Sequence, residues 1–547
     1  MRAVRGGPPS GRVAPARADG PVDRLDLVLV AAVSIGFALP LALARYAPGG
    51  DTPWHAAVVA VMADPDPARF LGAYEVDPGA GLGSYVALYR LLGLAARAIG
   101  APAAIQLLCI ASVVGMVWAA RSLARSFAAD GALAILAAPA AYSTTLEFGF
   151  VIYLPTFALT LWLWALVRVV MQRGARPWRV IALAASWLGV SLCHPFAALV
   201  AGLGAALLWL CELSRERARR AALVAAVLAA GALPAALAIG AVGTSGGSRI
   251  AAGASLWDRL NLQVFVPPLE SIASAPVQLI GFVDPAWRYG LVALLAAVAV
   301  AWRVLAPRPS PAGHDAAAPA VDGPSASRRA GLYLFLLLAA LYLVTPFTFE
   351  WPRNWYGAQP RLVPLVWVVG LVALRPVRVG WARVAALAVS TAALAALALG
   401  ALGPRAAEAR DLAAVLARSA PSARTLGLIE QRAAVDREPP DSFRSATGWV
   451  VAERGGFASH LPIDESGGLN SGQHIPVRRA AGAPPMPLAP PIWRPHAFDW
   501  ARHAAGWTQF LIRDLDPAHP RDYFAGHASE VVPVARAGRW RLFRRVE

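Results

Sequence analysis

The chain has 547 residues, of which 57% are hydrophobic, and all 50 of its basic residues are arginines. A soluble core of this size does not require so much apolar material, so the composition indicates a membrane protein. In a soluble protein, the net charge of +17 would suggest binding to nucleic acid. Here the arginines cluster at the ends of apolar runs, as in the cytoplasmic loops of membrane proteins, and no nucleic-acid partner is predicted.

Apolar runs near the length of about 20 residues that a helix needs to cross a bilayer recur as far as residue 402. Residues 1–25 precede the first of these apolar runs. They are rich in Gly, Pro and Arg and are predicted to be a disordered cytoplasmic segment. The region 26–403 is predicted to be a polytopic α-helical membrane domain with about eleven transmembrane helices. They cover residues 26–44, 102–120, 131–146, 149–170, 178–193, 195–213, 220–242, 287–305, 330–347, 362–375 and 381–402.

The positive-inside rule gives the direction of these helices. With the N-terminus in the cytoplasm, the arginine-rich connections, such as residues 173–179 and 215–220, also face the cytoplasm. One more apolar stretch, Leu82–Gly100, would invert this arrangement if it crossed the membrane. Its arginines fall on one helix face and its tyrosines on another, so it is predicted to be a helix in the membrane interface. The alternative is an ordinary spanning helix.

Two other segments differ in composition from the apolar runs. Residues 307–329 are rich in Pro, Ala and Ser and are predicted to be a cytoplasmic linker. Residues 404–547 are predicted to form a small soluble α/β domain outside the membrane, because short apolar runs alternate there with Pro-, Gly- and His-containing loops. Its predicted strands lie in residues 423–430, 448–456, 507–514, 529–536 and 539–546. Its histidines lack the spacing of metal ligands.

The motif GGDTPWH, Gly49–His55, follows the first predicted helix on the outer side of the membrane. Asp51 and His55 are four residues apart and would share one face of a helix, where a carboxylate can act as a general base and an imidazole can contact phosphate. Pro53 suits the first turn of that helix. The structural alternative is that Asp51 or Thr52 only caps the helix and that His55 is an ordinary surface residue.

Two further ionisable residues are predicted to lie at the outer boundary of the membrane. His194 in SLCHPF stands between two apolar runs that are short for full crossings, which places its turn in a recess. Glu147 in TTLEFGF lies at the outer end of the third predicted helix. Both are candidate substrate-binding residues, since ionisable groups at this depth are often functional. The alternatives are a histidine bonded to a helix carbonyl and a carboxylate in water.

The segment TFEWPRNWYGAQPRL contains Arg353 and Arg361, which lie outside, against the positive-inside trend. A guanidinium group binds phosphate through a planar fork of N–H groups, so either arginine is a candidate to hold a lipid-linked phosphate. The alternative is that these arginines anchor the protein to membrane lipids through their headgroups.

The order of these elements resembles that of the GT-C superfamily of membrane glycosyltransferases, which includes protein O-mannosyltransferases and the aminoarabinose transferases that modify lipid A. In that family an acidic residue in the first outer loop is followed by an interfacial helix, many spans and often a soluble C-terminal domain. Asp51 takes the acidic position and Leu82–Gly100 that of the interfacial helix. The family often has a paired Asp-Glu, whereas Thr52 follows Asp51 here. A second carboxylate would have to come from Glu147 or Asp77, which leaves open whether a divalent cation takes part.

The resemblance implies an enzyme of the inner (plasma) membrane that transfers a sugar from a polyprenyl-phosphate donor to an extracytoplasmic glycan, lipid or protein. Asp51 would accept the proton of the acceptor hydroxyl, and Arg353, Arg361 or His194 would stabilise the leaving phosphate. A transporter or flippase of a lipid-linked saccharide and a non-catalytic scaffold stay open as alternatives. The transporter is disfavoured because the sequence shows no pair of matching halves.

Overall fold

The computed structural model describes residues 21–64, 66–76, 85–240, 264–305, 324–349, 356–374, 380–431, 441–461, 475–480 and 482–546. Arg353 and most of the predicted linker 307–329 lie outside the described residues. Of the segment 1–25 that was predicted to be disordered, residues 21–25 are described, and they belong to the first helix.

Most of the described chain up to residue 416 is helical. In chain order the elements are α1 (Pro21–Leu43), α2 (Thr52–Ala63), β1 (Tyr74–Val76), α3 (Val86–Ile99), α4 (Ala101–Ser126), α5 (Ala134–Ala137), α6 (Thr144–Phe148), α7 (Pro155–Arg173), α8 (Pro177–Cys193), α9 (Pro195–Cys211), α10 (Ala218–Gly240), α11 (Pro268–Leu279), α12 (Pro285–Val304), α13 (Pro324–Val344), α14 (Val363–Leu374), α15 (Gly380–Ala395) and α16 (Gly403–Leu416).

Within the described ranges, five helical runs are long and apolar enough to cross a membrane, judged by length and composition. They are Arg24–Leu43, Ala101–Ser126, Pro155–Arg173, Trp287–Val304 and Gly380–Leu416. The chain is therefore a multi-pass membrane protein. The total of about eleven crossings and the direction of each one stay predictions.

Proline marks the start of many of these helices. Pro155, Pro177, Pro195 and Pro285 are the first residues of α7, α8, α9 and α12. Proline has no backbone N–H, and the first turn of a helix has no internal acceptor for that group, so proline fits there without losing a hydrogen bond. The turn between α8 and α9, which contains His194, is therefore sharp, with one residue between two helices.

The third predicted span, residues 131–146, is not one helix. It consists of two 3-10 turns, Gly131–Leu133 and Ala138–Tyr142, and the short helices α5 and α6. The Asp130 side chain accepts a hydrogen bond from the Ala132 N–H and so starts a new turn, and Pro139 interrupts the helical pattern. Residues 129–149 are all buried. Irregular backbone at membrane depth is tolerated when protein surrounds it, which is the case here.

Two predicted boundaries differ from the structure. Helix α13 begins at Pro324, so the end of the predicted linker is helical. Helix α15 continues through a π-helical segment, Ala396–Leu402, directly into α16. The predicted domain boundary at residue 404 therefore falls inside a continuous helical run, and the first strand of the C-terminal sheet begins at Arg424.

The C-terminal region contains a five-stranded mixed sheet. The elements of this region are β2 (Arg424–Ile429), α17 (Thr447–Arg454), β3 (Phe457–Ala458), β4 (Val477–Arg479), α18 (Trp500–His503), β5 (Gln509–Arg513), β6 (Val531–Ala537) and β7 (Trp540–Arg545). Of these strands, β4 belongs to a second sheet. The strand order is β3-β2-β5-β7-β6, with β2 parallel to both β3 and β5 and the remaining pairs antiparallel. Four of the five predicted strands coincide with β2, β5, β6 and β7. The prediction for residues 448–456 was wrong, because this segment is mainly helix α17.

Helix α17 docks the C-terminal region onto α2. A Cβ atom added at Gly448 would lie 2.3 Å from the Pro53 carbonyl oxygen, so the two backbones touch. The Trp54 Nε1 donates a hydrogen bond of 3.0 Å to the His460 carbonyl oxygen. The ring of Tyr46, just before α2, stacks on that of Trp449 at a centroid distance of 4.4 Å.

A second contact between the same parts of the chain is a two-stranded sheet. Strand β1, in the loop after α2, pairs antiparallel with β4, and Tyr74 lies opposite Arg479. The side chain of Arg45 also forms an ion pair of 2.9 Å with Glu453 at the end of α17. The described part of the chain between α1 and α3 thus contacts the C-terminal region before α2, at α2 and at β1.

Because Gly448 leaves no room for a side chain, we expect Gly448→Ala to separate α17 from α2. The cost expected for such overpacking is about 1–3 kcal/mol, seen as a lower midpoint of thermal unfolding of the purified protein. Gly290→Ala is the control, since no atom lies within 4 Å of the Cβ it would add on α12. Equal unfolding midpoints for the two variants would contradict this docking contact.

Candidate functional site

Asp51 immediately precedes the first residue of α2. Among the described residues, its carboxylate accepts no capping hydrogen bond from the first turn of this helix, although its position is that of an N-cap. The Thr52 hydroxyl donates to the Pro48 carbonyl oxygen at 2.9 Å and does not cap the helix either. The capping alternative raised from the sequence is therefore not what these side chains do. His55 follows one helical turn after Asp51, and its N–H donates to the Asp51 carbonyl oxygen.

The backbone around Asp51 is held by a second loop that contains Glu147. The Gly50 N–H donates to the Glu147 carbonyl oxygen at 3.1 Å, and the Asp51 N–H donates to the Phe148 carbonyl oxygen at 2.9 Å. Gly149, with a φ of +86°, makes this approach possible, because a Cβ atom there would lie 2.5 Å from the Asp51 nitrogen. The crossing of the two loops thus fixes the place of Asp51.

His55 is bonded to the interfacial helix predicted from the sequence, which in the structure is α3. The His55 Nδ1 lies 2.5 Å from the Tyr89 hydroxyl oxygen. Burial and the nearby positive charge of Arg361 lower the pKa of His55 to about 4. The ring is therefore neutral at pH 7 and can accept or donate a hydrogen bond without carrying charge. Tyr89 also lies in the electrostatic environment of Asp51.

His194 and Arg361 are in direct contact, although 167 residues separate them. The Arg361 Nη1 lies 2.8 Å from the His194 Nε2, and the Arg361 Nη2 donates to the Tyr356 carbonyl oxygen at 2.9 Å. The guanidinium group lies 4.0 Å from the centroid of the Phe150 ring and 5.1 Å from that of Tyr153. Both side chains are buried. Arg361 is thus held in place by aromatic rings and one carbonyl.

This pair has more hydrogen-bond donors than acceptors. The His194 Nδ1 accepts the N–H of Phe196 at 3.1 Å, so in a neutral ring the proton is on Nε2. That nitrogen then has no lone pair to accept the Arg361 Nη1–H, so the contact of 2.8 Å between them joins two donors. The Arg361 Nε–H has no acceptor among the described residues. Three buried donors in one place favour an anionic oxygen as their ligand.

Glu147 is placed differently from the other candidates. Its carboxylate forms an ion pair of 3.2 Å with Arg288 on α12, and both side chains are buried. The Glu147 Oε2 lies against Gly281, where an added Cβ would approach it to 2.9 Å. Among the described residues, the hydrogen bond from the Asp51 loop to Glu147 is made to its backbone carbonyl oxygen. Its predicted contact with substrate stays a prediction.

The residues that sequence reasoning missed are Tyr85 and Tyr89. The Tyr85 hydroxyl lies 2.6 Å from the His194 Nε2, and Tyr89 contacts His55 as described above. The signal in the sequence is the pair of tyrosines, four residues apart on one face of the predicted interfacial helix. That face was interpreted as one that contacts the lipid interface. Arg353, the last candidate, lies outside the described residues.

A metal site does not fit the described residues. Across the described ranges, no group of three or more His, Cys, Asp or Glu side chains could hold a metal ion. Of the two carboxylates considered as partners of Asp51, Glu147 is engaged by Arg288, and Asp77 is not among the described residues.

Fold and site together define a multi-pass α-helical membrane protein with a docked α/β region and a buried polar site between α2, α3 and the start of α9. No protein-family model and no curated protein matches the sequence. The structure is similar to that of a mycobacterial arabinofuranosyltransferase, AftD, with 16% identity and a TM-score of 0.47, over 95% of this chain and 41% of AftD. The chain thus spans less than half of that enzyme.

The structure is also similar to that of ArnT from Cupriavidus metallidurans. For the apo state the identity is 12% and the TM-score 0.42, over 96% of this chain and 99% of ArnT. For the state bound to undecaprenyl phosphate the values are 13% and 0.41, over 96% and 98%. AftD and ArnT are GT-C superfamily members. At these identities and TM-scores, the similarity assigns no activity, substrate or residue role to this chain.

The low pKa of His55 predicts a pH dependence of stability. Between about pH 6.5 and the folded-state pKa of about 4, the unfolded chain binds more protons than the folded one, so stability falls as the pH is lowered through this window. We expect His55→Gln to reduce the loss of thermal stability between pH 7 and pH 5. Burial also lowers the pKa of His460 to about 4, so part of the loss will persist in this variant.

The control is His519→Gln, which removes an imidazole that is exposed in the C-terminal region. Unfolding midpoints of the three proteins are compared at a series of pH values. A slope for His55→Gln as steep as that of the unmodified protein would show that His55 is not held neutral in the folded state.

Proposed function

We propose that the chain is a membrane glycosyltransferase that moves a sugar from a polyprenyl-phosphate donor to an extracytoplasmic acceptor. The observation that carries the proposal is that a carboxylate, which can accept a proton, and a guanidinium group, which can bind an anion, belong to one site. A carboxylate that does not cap its helix, Asp51, lies in the electrostatic environment of Arg361, whose donors exceed the acceptors around it. This combination suits a base beside an anion-binding group.

In the proposed reaction, the bond between the anomeric carbon of the sugar and the phosphate oxygen breaks, and its electron pair stays on that oxygen. The acceptor hydroxyl oxygen bonds the anomeric carbon, and its proton passes to the Asp51 carboxylate. The departing phosphate gains negative charge, which the Arg361 guanidinium and the His194 Nε2–H stabilise. Both groups are buried, so their interaction with that charge is weakly screened by water.

The proposed orientation places the site on the outer side of the inner (plasma) membrane, with the N-terminus in the cytoplasm and the C-terminal region extracytoplasmic. His55 would contact the donor phosphate or sugar as a neutral group, and Arg353 would add positive charge at the entrance. Glu147 supports the site through its backbone, since its carbonyl oxygen binds the Gly50 N–H.

We expect Asp51→Asn to lower the rate of sugar transfer by about 100-fold or more, because the amide cannot accept the proton. Transfer is measured with the purified protein in lipid, a panel of radiolabelled polyprenyl-phosphate sugars and a membrane extract as acceptor. Asp66→Asn is the control, since the Asp66 carboxylate is exposed in the loop after α2 and caps a turn by accepting the Ala68 N–H. Full transfer by Asp51→Asn would refute the role of Asp51 as base.

Arg361→Gln tests the phosphate-binding half of the proposal. We expect the KM for the donor to rise and kcat to fall, because the charge that binds the phosphate and stabilises its departure is lost. Arg361→Lys should recover only part of the activity, since an ammonium group lacks the planar fork. Arg502→Gln, an exposed arginine of the C-terminal region, is the control. No transfer by the unmodified protein from any donor would favour the transporter or scaffold instead.

A further inference from the structure

Helix α3 reaches the site through two tyrosines at its start. Tyr89 lies in the first turn of α3, and Tyr85 immediately precedes this helix and accepts the Tyr89 N–H on its carbonyl oxygen at 3.1 Å. Each hydroxyl contacts a different histidine: that of Tyr85 contacts His194 at 2.6 Å, and that of Tyr89 contacts His55 at 2.5 Å. The two histidines come from α2 and from the turn before α9. The interfacial helix thus joins both sides of the site.

The backbone of Tyr85 has an unusual conformation for a residue with a side chain. Its φ is +72°, in the region that favours glycine. Two contacts hold it there in addition to the hydroxyl. The Tyr85 N–H donates to the Leu192 carbonyl oxygen at 2.7 Å, and the Tyr85 ring meets the His194 ring edge-on, with centroids 4.8 Å apart. Strained residues of this kind are found most often at functional sites.

The hydroxyl of Tyr85 is the group in contact with the donor-rich pair of His194 and Arg361. With the proton of His194 on Nε2, the Tyr85 oxygen accepts from it, and the Tyr85 O–H is itself a further donor. An oxygen atom of a phosphate placed among these groups would accept from the Arg361 Nη1–H, the His194 Nε2–H and the Tyr85 O–H together. The facing donors of His194 and Arg361 would then share an acceptor.

We propose that Tyr85 is a ligand of the donor phosphate and forms, with Arg361 and His194, a three-donor anion site. This inference rests on the proposed function and adds a residue to it. Tyr85 suits the role better than Tyr89 because its hydroxyl contacts His194, which also contacts Arg361, whereas the Tyr89 hydroxyl contacts His55. Tyr85 therefore gives the interfacial helix direct contact with the lipid-linked donor.

The test measures binding of undecaprenyl phosphate, and separately of inorganic phosphate, to the full-length protein in lipid nanodiscs. Tyr85→Phe keeps the ring and its packing but removes the hydroxyl. We expect its Kd for undecaprenyl phosphate to be about tenfold or more above that of the unmodified protein, the effect of losing a hydrogen bond to a charged group. Tyr289→Phe is the control, because it removes an exposed hydroxyl that donates to the Ala273 carbonyl oxygen.

A double-mutant cycle of Tyr85→Phe with Arg361→Gln supplies a second measurement. Two ligands of one phosphate should give non-additive losses of binding, and additive losses would overturn the shared site. Wild-type affinity in a Tyr85→Phe protein with an unchanged unfolding midpoint would overturn the inference and leave the proposed function intact. Absence of undecaprenyl phosphate binding by the unmodified protein would overturn both. Equal weakening of inorganic phosphate binding would identify phosphate itself, rather than the lipid, as what Tyr85 contacts.

Discussion

The backbone contact between the Asp51 loop and the Glu147 loop is the constraint on which the site depends. Two hydrogen bonds join loops that lie almost a hundred residues apart in the sequence, and glycines 49 and 149 allow the chains to touch there. Residues 129–149, which deliver Glu147, are buried throughout and are not one helix. Glu147 and Phe148 are the last two residues of α6, so their carbonyl groups have no partner within that helix and accept from Gly50 and Asp51 instead. The end of α6 therefore presents the acceptors that place the candidate base.

The buried arginines of the helical region differ in whether a carboxylate forms an ion pair with them. Arg168 is paired with Glu212 at 2.6 Å, Arg288 with Glu147 at 3.2 Å, and Arg383 with Asp130 at 3.2 Å. Such pairs offset much of the cost of removing a charge from water, and they hold neighbouring helices together. Arg361 is different, since its described contacts are a histidine nitrogen, a carbonyl oxygen and two aromatic rings. Within the described ranges no carboxylate forms an ion pair with this buried cation, and this contrast with the other three is a physical reason to expect an anionic ligand at Arg361.

The sequence predicts those parts of the site that depend on local spacing. Asp51 and His55 were identified together because a four-residue interval brings side chains to one helix face, and His194 because a polar residue interrupts an apolar run. The contact of His194 with Arg361 could not be predicted, since it depends on how α9 packs against a distant turn. Tyr85 was seen as an aromatic residue of an interfacial helix, and only the fold brings its hydroxyl to His194. Residues 448–456 are predicted as a strand because they form a short apolar run between loops, whereas in the structure this run is mainly helix α17, which packs against α2.

The docking of the C-terminal region bears directly on the site, because it takes place at the residues next to Asp51. Gly448 lies against the Pro53 backbone, and the His460 carbonyl oxygen binds the Trp54 side chain. Any displacement of α17 would therefore move the first turn of α2. The same region is tied to the loop after α2 by the pairing of β1 with β4. These contacts hold α2 from one side while α3 holds it from the other through Tyr89. A helix held by both of these contacts keeps the Asp51 backbone in place without a capping hydrogen bond from the Asp51 carboxylate to the first turn.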